Sequence, residues 1–202
     1  MISKIINKIR DRGFNRTCLS FVNGFNGVSL ISQNCVGGVV YNRLGSPFQS
    51  PTINMYILGE DFCKLCEPVE HYLSLRPVLV EEKSISYPVL KIDDIKLHCL
   101  HYKTGREAID AWNRRRKRVN FKRIVVLAND WDLNHNELLI NRIIALPYPK
   151  IILTANPRYK NNDYFWYIGD VCNIDEKGAL SPLPLDRTKK TWEILRKKWW
   201  FL

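Results

Sequence analysis

Several features that would place this chain outside the cytoplasm are missing from its 202 residues. No apolar run is long enough to cross a bilayer. The first residues also lack the continuous apolar segment and small-residue cleavage site of a secretory signal. Together these absences predict a cytoplasmic protein, and they leave contact with a membrane surface open.

The familiar phosphate-binding and metal-binding motifs are also absent. No Gly-Lys-Ser/Thr follows the glycine pair Gly37-Gly38, and the three spaced glycines of a dinucleotide fingerprint do not occur. Among six cysteines only Cys63 and Cys66 form a close pair, and no second pair joins them, which disfavours a structural zinc site. The signatures of common DNA-binding and RNA-binding domains are missing, which disfavours nucleic acid as a partner.

Acidic residues are scarce relative to basic ones. The chain has 20 acidic and 31 basic residues, for a net charge of +11. Nine of the basic residues lie between Lys103 and Arg123, among only two acidic ones. A surplus of this size suits an anionic partner, such as a phosphorylated or nucleotide-sugar ligand or an anionic membrane.

The stretch Arg123–Asp132, with sequence RIVVLANDWD, is the strongest structural signal in the chain. Its unalternating, β-branched apolar run ends abruptly in polar residues, which is typical of a strand buried on both faces. Such strands belong to sheets that helices cover on both sides. We therefore predict a single three-layer α/β domain over residues 1–202, with a mostly parallel or mixed central sheet flanked by helices.

Periodicity and turn signals predict the remaining elements. Further strands are expected at Phe25–Ser32, Ile53–Leu58, Lys150–Ala155 and Trp166–Gly169. A hairpin is expected from Tyr87–Ile92 and Ile95–Tyr102, turning at Asp93-Asp94. Helices are expected at Val39–Leu44, at Gly59–Leu75 with a break at Pro68, after a Thr104 cap with Glu107 completing a capping box, and from Asn134 or His135.

The two ends of the chain carry basic amphipathic patterns. Residues 1–13 place isoleucines at helical spacing among lysines and arginines, and residues 187–202 combine tryptophans with basic residues. Both patterns predict helices. Each helix either packs on the domain or lies on an anionic membrane surface, and the sequence leaves both readings open.

Polar residues follow three predicted core strands, in the segments Ser32-Gln33-Asn34, Asn129-Asp130 and Thr154-Ala155-Asn156. If the strands are parallel, these ends meet at one edge of the sheet, where ligands bind in α/β folds. Ser32, Asn34, Asn129 and Thr154 are accordingly predicted to contact a substrate. Asp130 and Asp132 have the spacing of a site for a divalent cation such as Mn²⁺ or Mg²⁺, with a helix cap as the alternative.

Other candidate residues lie near these strand ends in the sequence. The Gly37-Gly38 amides are predicted to approach a ligand from a tight loop, with a simple turn as the alternative. Arg115 and Arg118 share a helix face suited to phosphate, unless that face is merely solvated. His101, at the predicted end of a strand, is a candidate base, although a histidine in this pattern more often belongs to the core.

A set of motifs in this chain resembles one bacterial family. Ser32–Gly38, Ser50-Pro51-Thr52, His101-Tyr102 and Trp112–Asn120 together resemble the family known as domain of unknown function 1919. Its members are commonly labelled exopolysaccharide or capsule biosynthesis proteins. The resemblance implies an α/β fold and an association with surface polysaccharide, and it supplies no catalytic residues.

These observations predict a transferase in exopolysaccharide or capsule biosynthesis, with sugar transfer from a nucleotide sugar as the expected reaction. A metal ion or basic residues would neutralise the diphosphate leaving group. Asp130 and His101 are the candidate catalytic residues. Two alternatives stay open: an acyl or phosphoryl transferase, and a non-enzymatic peripheral or scaffold protein of a polysaccharide assembly system.

Overall fold

The computed structural model describes residues 27–43 and 45–168. Within them the strands are β1 (Ser29–Ser32), β2 (Val78–Val80), β3 (Val89–Ile92), β4 (Ile95–His98), β5 (Ile124–Asn129), β6 (Lys150–Thr154) and β7 (Phe165–Tyr167). The α-helices are α1 (Val36–Arg43), α2 (Gly59–Cys66), α3 (Val69–Ser74), α4 (Gly105–Arg116) and α5 (Glu137–Ala145). The predicted helices at 1–13 and 187–202 lie outside the described residues.

Four strands form a parallel sheet in the order β1-β5-β6-β7. All six residues of β5 are buried, as are the four of β1. This confirms the prediction of an α/β fold built on a buried central strand. The unalternating pattern of β5 arises because each face of the sheet packs against other elements.

Two hydrophobic clusters cover the two faces of the parallel sheet. Leu30, Val125 and Leu127 point into a cluster that includes residues of α1. Ile31 and Val126 point into a larger cluster formed with α2, α4, α5 and the second sheet. Successive strand residues alternate between the clusters because of the β pleat, which gives the layered architecture.

The second sheet is antiparallel, with the order β2-β3-β4. Strands β3 and β4 form the predicted hairpin, and its turn residue Asp93 has a left-handed backbone with φ 52°. Helix α4 follows and begins as predicted, because the Thr104 side chain accepts a hydrogen bond from the Glu107 amide at 3.2 Å. Trp112 of α4 is fully buried against this part of the core.

The predicted strand at Ile53–Leu58 is wrong. Only Tyr56 pairs, through an isolated antiparallel bridge to His98. Asn54 has a left-handed backbone with φ 66°, which interrupts the extended conformation that a strand needs. Alternate residues are nevertheless fully buried, and this burial produced the misleading strand pattern in Ile53, Met55 and Ile57.

Two helices begin elsewhere than predicted. Helix α1 starts at Val36 and contains Gly37 and Gly38, so these glycines lie in its first turns and not in a preceding loop. Helix α5 starts at Glu137 because Asn134 and His135 are both left-handed, and Asn136 caps the helix instead. Between residues 27 and 168, with residue 44 left aside, no helix has the length and apolar character needed to cross a membrane.

Candidate functional site

The carboxyl ends of β1, β5 and β6 meet at one edge of the parallel sheet, as predicted from the sequence. Asn34, after β1, donates its side-chain amide to Asp132 Oδ2 at 2.9 Å. Thr154, at the end of β6, donates its hydroxyl to Asp130 Oδ2 at 2.6 Å. The segment after β5 is therefore bonded to both neighbouring strand ends, and we call this edge the polar rim.

Asp132 is held on the β1 side of the polar rim. Its Oδ2 accepts from Asn34 at 2.9 Å and from the Asn129 side chain at 2.7 Å. Its backbone amide donates back to Asn129 Oδ1 at 2.8 Å. Desolvation raises the pKa of Asp132 above its usual range, while the hydrogen bonds from the two asparagines act in the opposite direction.

Asp130 lies on the β6 side of the polar rim and is only 1% exposed. Besides the bond from Thr154, its Oδ2 lies 3.5 Å from Nδ1 of His135. Its other oxygen, Oδ1, is buried and has no hydrogen-bond partner among the described residues. The predicted metal ligands Asp130 and Asp132 thus bond to opposite neighbours. In the described ranges no cluster of three or more His, Cys, Asp or Glu residues could hold a metal ion.

Cys35 and His101 form a close pair beside the polar rim. Cys35 sits in the turn between β1 and α1, and its Sγ lies 2.8 Å from Nε2 of His101. His101 is exposed in a turn that follows β4, because the strand ends at His98. The prediction that His101 and Tyr102 continue the strand alternation is wrong, and Tyr102 is the buried residue of the two.

The turn that carries Cys35 is fixed by short-range bonds. Asn34 Oδ1 accepts from the Val36 amide at 3.0 Å, at the start of α1. Ser32 Oγ accepts from the Gly37 amide at 3.1 Å and donates to the Asn34 carbonyl at 2.7 Å. A Cβ on Gly37 would lie 2.6 Å from the Ser32 Cβ, so glycine permits the close approach of α1 to β1. Gly37 therefore contributes close packing, and its amide is bonded within the protein.

The electrostatic setting keeps the sulfur of Cys35 protonated. Burial, and then the negative charge of Asp132, raise the pKa of Cys35 to about 11. The same two effects, in the same order, raise the pKa of the Tyr56 phenol, which is also only partly exposed. At neutral pH Cys35 is thus a thiol in contact with an imidazole, and it needs a base to become a nucleophile.

The arginines predicted to hold phosphate are bonded to protein oxygens. Arg115 is 8% exposed and donates through Nη1 to the Ile53 carbonyl at 2.9 Å and to the Tyr102 hydroxyl at 2.6 Å. Arg118 donates to the Phe48 carbonyl at 3.4 Å. Arg118 lies in the turn after α4, so the prediction that it shares a helix face with Arg115 is wrong. Arg115 ties α4, and Arg118 ties that turn, to the segment that precedes α2.

Cys35 and Gln33 are the site residues to which sequence reasoning assigned no role. Gln33 is fully buried, and its Oε1 accepts from the Asn129 amide at 3.2 Å, which joins β1 to β5 at the polar rim. Both residues belong to the Ser32–Gly38 motif singled out in the sequence. The signal in the sequence that could have pointed to the pair of Cys35 and His101 was the presence of both that motif and the His101-Tyr102 motif.

Comparison with known proteins identifies the family. The family model described as "Domain of unknown function (DUF1919)" matches residues 7–177, and the chain belongs to this family. A Haemophilus influenzae protein described as uncharacterized is 31% identical over 157 residues, covering 77% of this chain and 75% of the relative. The elements from β1 to β7 all fall inside the range that the family model matches.

Proposed function

We propose that this protein is a transferase that carries the transferred group on Cys35, with His101 as the base. The observation that supports this most directly is the 2.8 Å separation of Cys35 Sγ and His101 Nε2. A nucleophile and a base within hydrogen-bond reach are the two groups that take part directly in covalent catalysis. Their position at the carboxyl edge of a parallel sheet is where α/β proteins bind ligands.

Acyl transfer is the reaction that fits a neutral thiol beside an imidazole. His101 takes the thiol proton while Cys35 Sγ attacks the acyl carbon of an ester or thioester donor. The donor's alcohol or thiol then leaves with that proton, and a thioester on Cys35 remains. In the second half, an acceptor hydroxyl attacks the thioester carbon, the C–S bond breaks, and the proton that leaves the hydroxyl passes through His101 to the sulfur, which regenerates the Cys35 thiol.

The surroundings of the pair suggest the classes of donor and acceptor. Leu100 adjoins His101 and is 45% exposed. Leu58 is 46% exposed, and it follows Ile57, whose backbone amide donates to the Gln33 carbonyl. These apolar side chains suit an acyl group. The association with surface polysaccharide that the sequence resemblance implies suggests a carbohydrate hydroxyl as the acceptor. We expect this reaction in the cytoplasm, with contact to the inner face of the membrane as a further expectation.

Sugar transfer from a nucleotide sugar is the second candidate, and one observation favours it. Asp132 accepts its hydrogen bonds on Oδ2, and Asp130 Oδ1 is buried with no partner in the described ranges. Asp132 thus keeps an oxygen, Oδ1, that Mn²⁺ or Mg²⁺ could bind, as Lewis acid for the diphosphate. Stabilisation by a nucleotide sugar only in the presence of Mn²⁺, lost in Asp132→Asn, would favour this candidate over acyl transfer.

The acyl-transfer proposal is tested by trapping the intermediate. Purified protein is mixed with p-nitrophenyl acetate, and acetylated peptides are quantified by mass spectrometry over time. We expect the adduct on Cys35, none at that site in Cys35→Ala, and at least about tenfold slower formation in His101→Gln, since general bases typically contribute more than this. The buried Cys63 and Cys99 serve as internal controls for non-specific acetylation.

Two results would overturn the proposal. One is acetylation of Cys35 at the same rate with and without His101. The other is formation of the Cys35 adduct without any transfer to a hydroxyl acceptor such as a monosaccharide. If, in addition, the protein binds liposomes and shows no response to acyl donors or nucleotide sugars, the scaffold alternative is supported instead.

A further inference from the structure

A basic surface lies where α4 ends and the chain turns towards β5. It consists of exposed side chains from one short stretch of sequence: Arg114, Lys117, Arg118, Phe121 and Lys122. No acidic residue occurs between Ala111 and Asn129, so the neighbouring sequence supplies no counter-charge. Within the described ranges, the side chains of Arg114, Lys117 and Lys122 also have no hydrogen-bond or ion-pair partner. These three cations are therefore available to an external anion.

The cations of the basic surface differ from the arginines that stabilise the fold. Arg115 and Arg116 belong to the same run, but their Nη1 atoms donate to backbone carbonyls elsewhere in the fold. Cations in the last turn of a helix also complement its dipole, which accounts for Arg114. The dipole acts only close to that turn, and Lys122 lies well beyond the end of α4. Neither hydrogen bonding nor the helix dipole therefore explains the whole basic surface.

An aromatic side chain stands among these cations. Phe121 is 42% exposed, although it opens the 3-10 helix Phe121–Arg123 that leads directly into the buried strand β5. Clusters of lysine and arginine attract anionic lipid headgroups, and an adjacent aromatic ring enters the boundary between headgroups and acyl chains. Exposed cations and an exposed ring in one short segment therefore suit an anionic membrane surface.

The chain that precedes β1 joins the domain beside the basic surface. The Asn120 amide donates to Ser29 Oγ at 2.8 Å, and Asn120 Nδ2 lies 3.8 Å from the position that a Cβ on Gly27 would take. The sequence before Gly27 includes the basic amphipathic pattern of residues 1–13. That pattern and the basic surface are thus attached to the domain at neighbouring points. Two segments that bind the same membrane from one body bind more tightly together than singly.

Anionic lipid fits this arrangement better than nucleic acid does. Charge alone suits both partners. The isoleucines at helical spacing in residues 1–13 and the exposed ring of Phe121 add apolar contacts, which acyl chains accept and a phosphate backbone does not. The sequence also lacks the signatures of common nucleic-acid-binding domains.

We infer that the basic surface docks the protein on a membrane that contains anionic phospholipids. Its cations contact headgroup phosphates, and the Phe121 ring enters the boundary beneath them. This inference does not depend on the chemistry proposed for Cys35. Phe121 and Lys122 precede β5, whereas the polar rim follows the last residue of that strand, Asn129. Phe121 and the polar rim therefore lie at opposite ends of β5.

Sedimentation with vesicles measures the docking. The full-length protein is mixed with vesicles of phosphatidylcholine alone, or of phosphatidylcholine and phosphatidylglycerol in equal parts. We expect binding to the mixed vesicles that weakens as salt is raised, and little binding to phosphatidylcholine alone. A triple variant with Arg114→Gln, Lys117→Gln and Lys122→Gln should bind the mixed vesicles at least about tenfold more weakly, since each basic residue near an anionic membrane is worth roughly fivefold.

The matched control removes three charges outside the basic surface. Lys83, Lys91 and Lys103 are exposed, and they lie in the β2–β3 loop, in β3 and before the amino end of α4. The triple variant with glutamine at these positions should bind the mixed vesicles within about twofold of the wild type, because salt screens charges that do not touch the membrane. Phe121→Ala should bind several-fold more weakly, because the apolar contact of the ring is lost. Thermal unfolding midpoints close to that of the wild type show that each variant is folded.

Three results would overturn the inference. Equal losses in the two triple variants would show an effect of net charge and not of this surface. Equal binding of the wild type to both kinds of vesicle would exclude recognition of anionic lipid. Retention of single-stranded RNA without binding to either kind of vesicle would assign the basic surface to nucleic acid instead. Acetylation of Cys35 is measured separately, so failure of the proposed function leaves this test intact.

Discussion

The two sheets of this protein use polar residues in opposite ways. At the hairpin turn of the antiparallel sheet, the side chains of Asp93 and Asp94 bond to residues of α2 and α3, including Lys64 at 2.8 Å. At the carboxyl edge of the parallel sheet, Asp130 and Asp132 bond inward to neighbouring strand ends. Antiparallel strands send their carboxyl ends in alternate directions, whereas parallel strands send them all to one edge. The contrast shows that topology, and not composition, concentrates the reactive side chains.

The distribution of charge supports the same conclusion. The arginine-rich end of α4 and the turn after it account for much of the basic surplus. There Arg115 and Arg116 donate to backbone carbonyls. The polar rim itself carries two carboxylates and neutral amides. The neighbouring pair consists of a cysteine and a histidine, and neither residue type is counted in the net charge of the chain. Net charge is thus a poor guide to the site.

The largest expected effect is a loss of stability, from a change in the hydrophobic core and not at the polar rim. Trp112 is fully buried between α4 and the core, so Trp112→Ala should lower the free energy of unfolding by about 3–5 kcal/mol. Chemical denaturation measures this loss, and labelling of Cys35 in the folded protein should not change. Trp112→Phe keeps much of the packing and removes a buried N–H that has no partner in the described ranges, so it should cost less. A loss below about 1 kcal/mol in Trp112→Ala would contradict a core role for α4.

A smaller effect tests whether the arginines are structural. Arg116 Nη1 donates to the carbonyl oxygens that end α3, at 3.3 Å for Leu73, 2.5 Å for Ser74 and 3.1 Å for Leu75. Arg116→Ala should cost about 1–2 kcal/mol of unfolding free energy, because these bonds involve a charged donor but are partly exposed to solvent. Arg114 is exposed, and Arg114→Ala should stay within about 0.5 kcal/mol of the wild type. Equal losses in thermal or chemical denaturation would show that the bonds to α3 contribute nothing specific.

Local patterns were sufficient to predict most of the elements. The unalternating run of β5, the hairpin turn and the Thr104 cap each depend on neighbouring residues, and each is confirmed. The segment Ile53–Leu58 was mispredicted because alternate burial imitates a strand when tertiary packing, and not sheet pairing, buries the residues. The left-handed backbone at Asn54 that distinguishes the two cases leaves no periodic signal.

The site was predictable only as far as topology allowed. Parallel strands imply that their carboxyl ends meet, so the convergence of the segments that end β1, β5 and β6, with Asn34, Asp130 and Thr154 among their residues, was predicted correctly. The contact between Cys35 and His101 joins residues 66 positions apart, and it depends on where a turn after β4 falls relative to β1. No periodicity carries that information. The hydrogen bond from Arg115 to the Ile53 carbonyl likewise joins residues that are far apart in the sequence.

The finest test of the polar rim concerns the charge of Asp132 beside Cys35. Burial and the charge of Asp132 raise the pKa of Cys35 to about 11, so in Asp132→Asn the pKa should fall while burial keeps it above the ordinary value. At a pH below the pKa of Cys35, each unit by which the pKa falls raises the thiolate fraction about tenfold. Because the thiolate is the form that reacts, labelling of Cys35 by iodoacetamide at pH 8 should be several-fold faster in the variant. Peptide mapping between pH 7 and 9 measures the rate, with Cys63, whose pKa burial raises to about 12, as the internal control. Equal or slower labelling of Cys35 in the variant would show that Asp132 does not act on the sulfur through its charge.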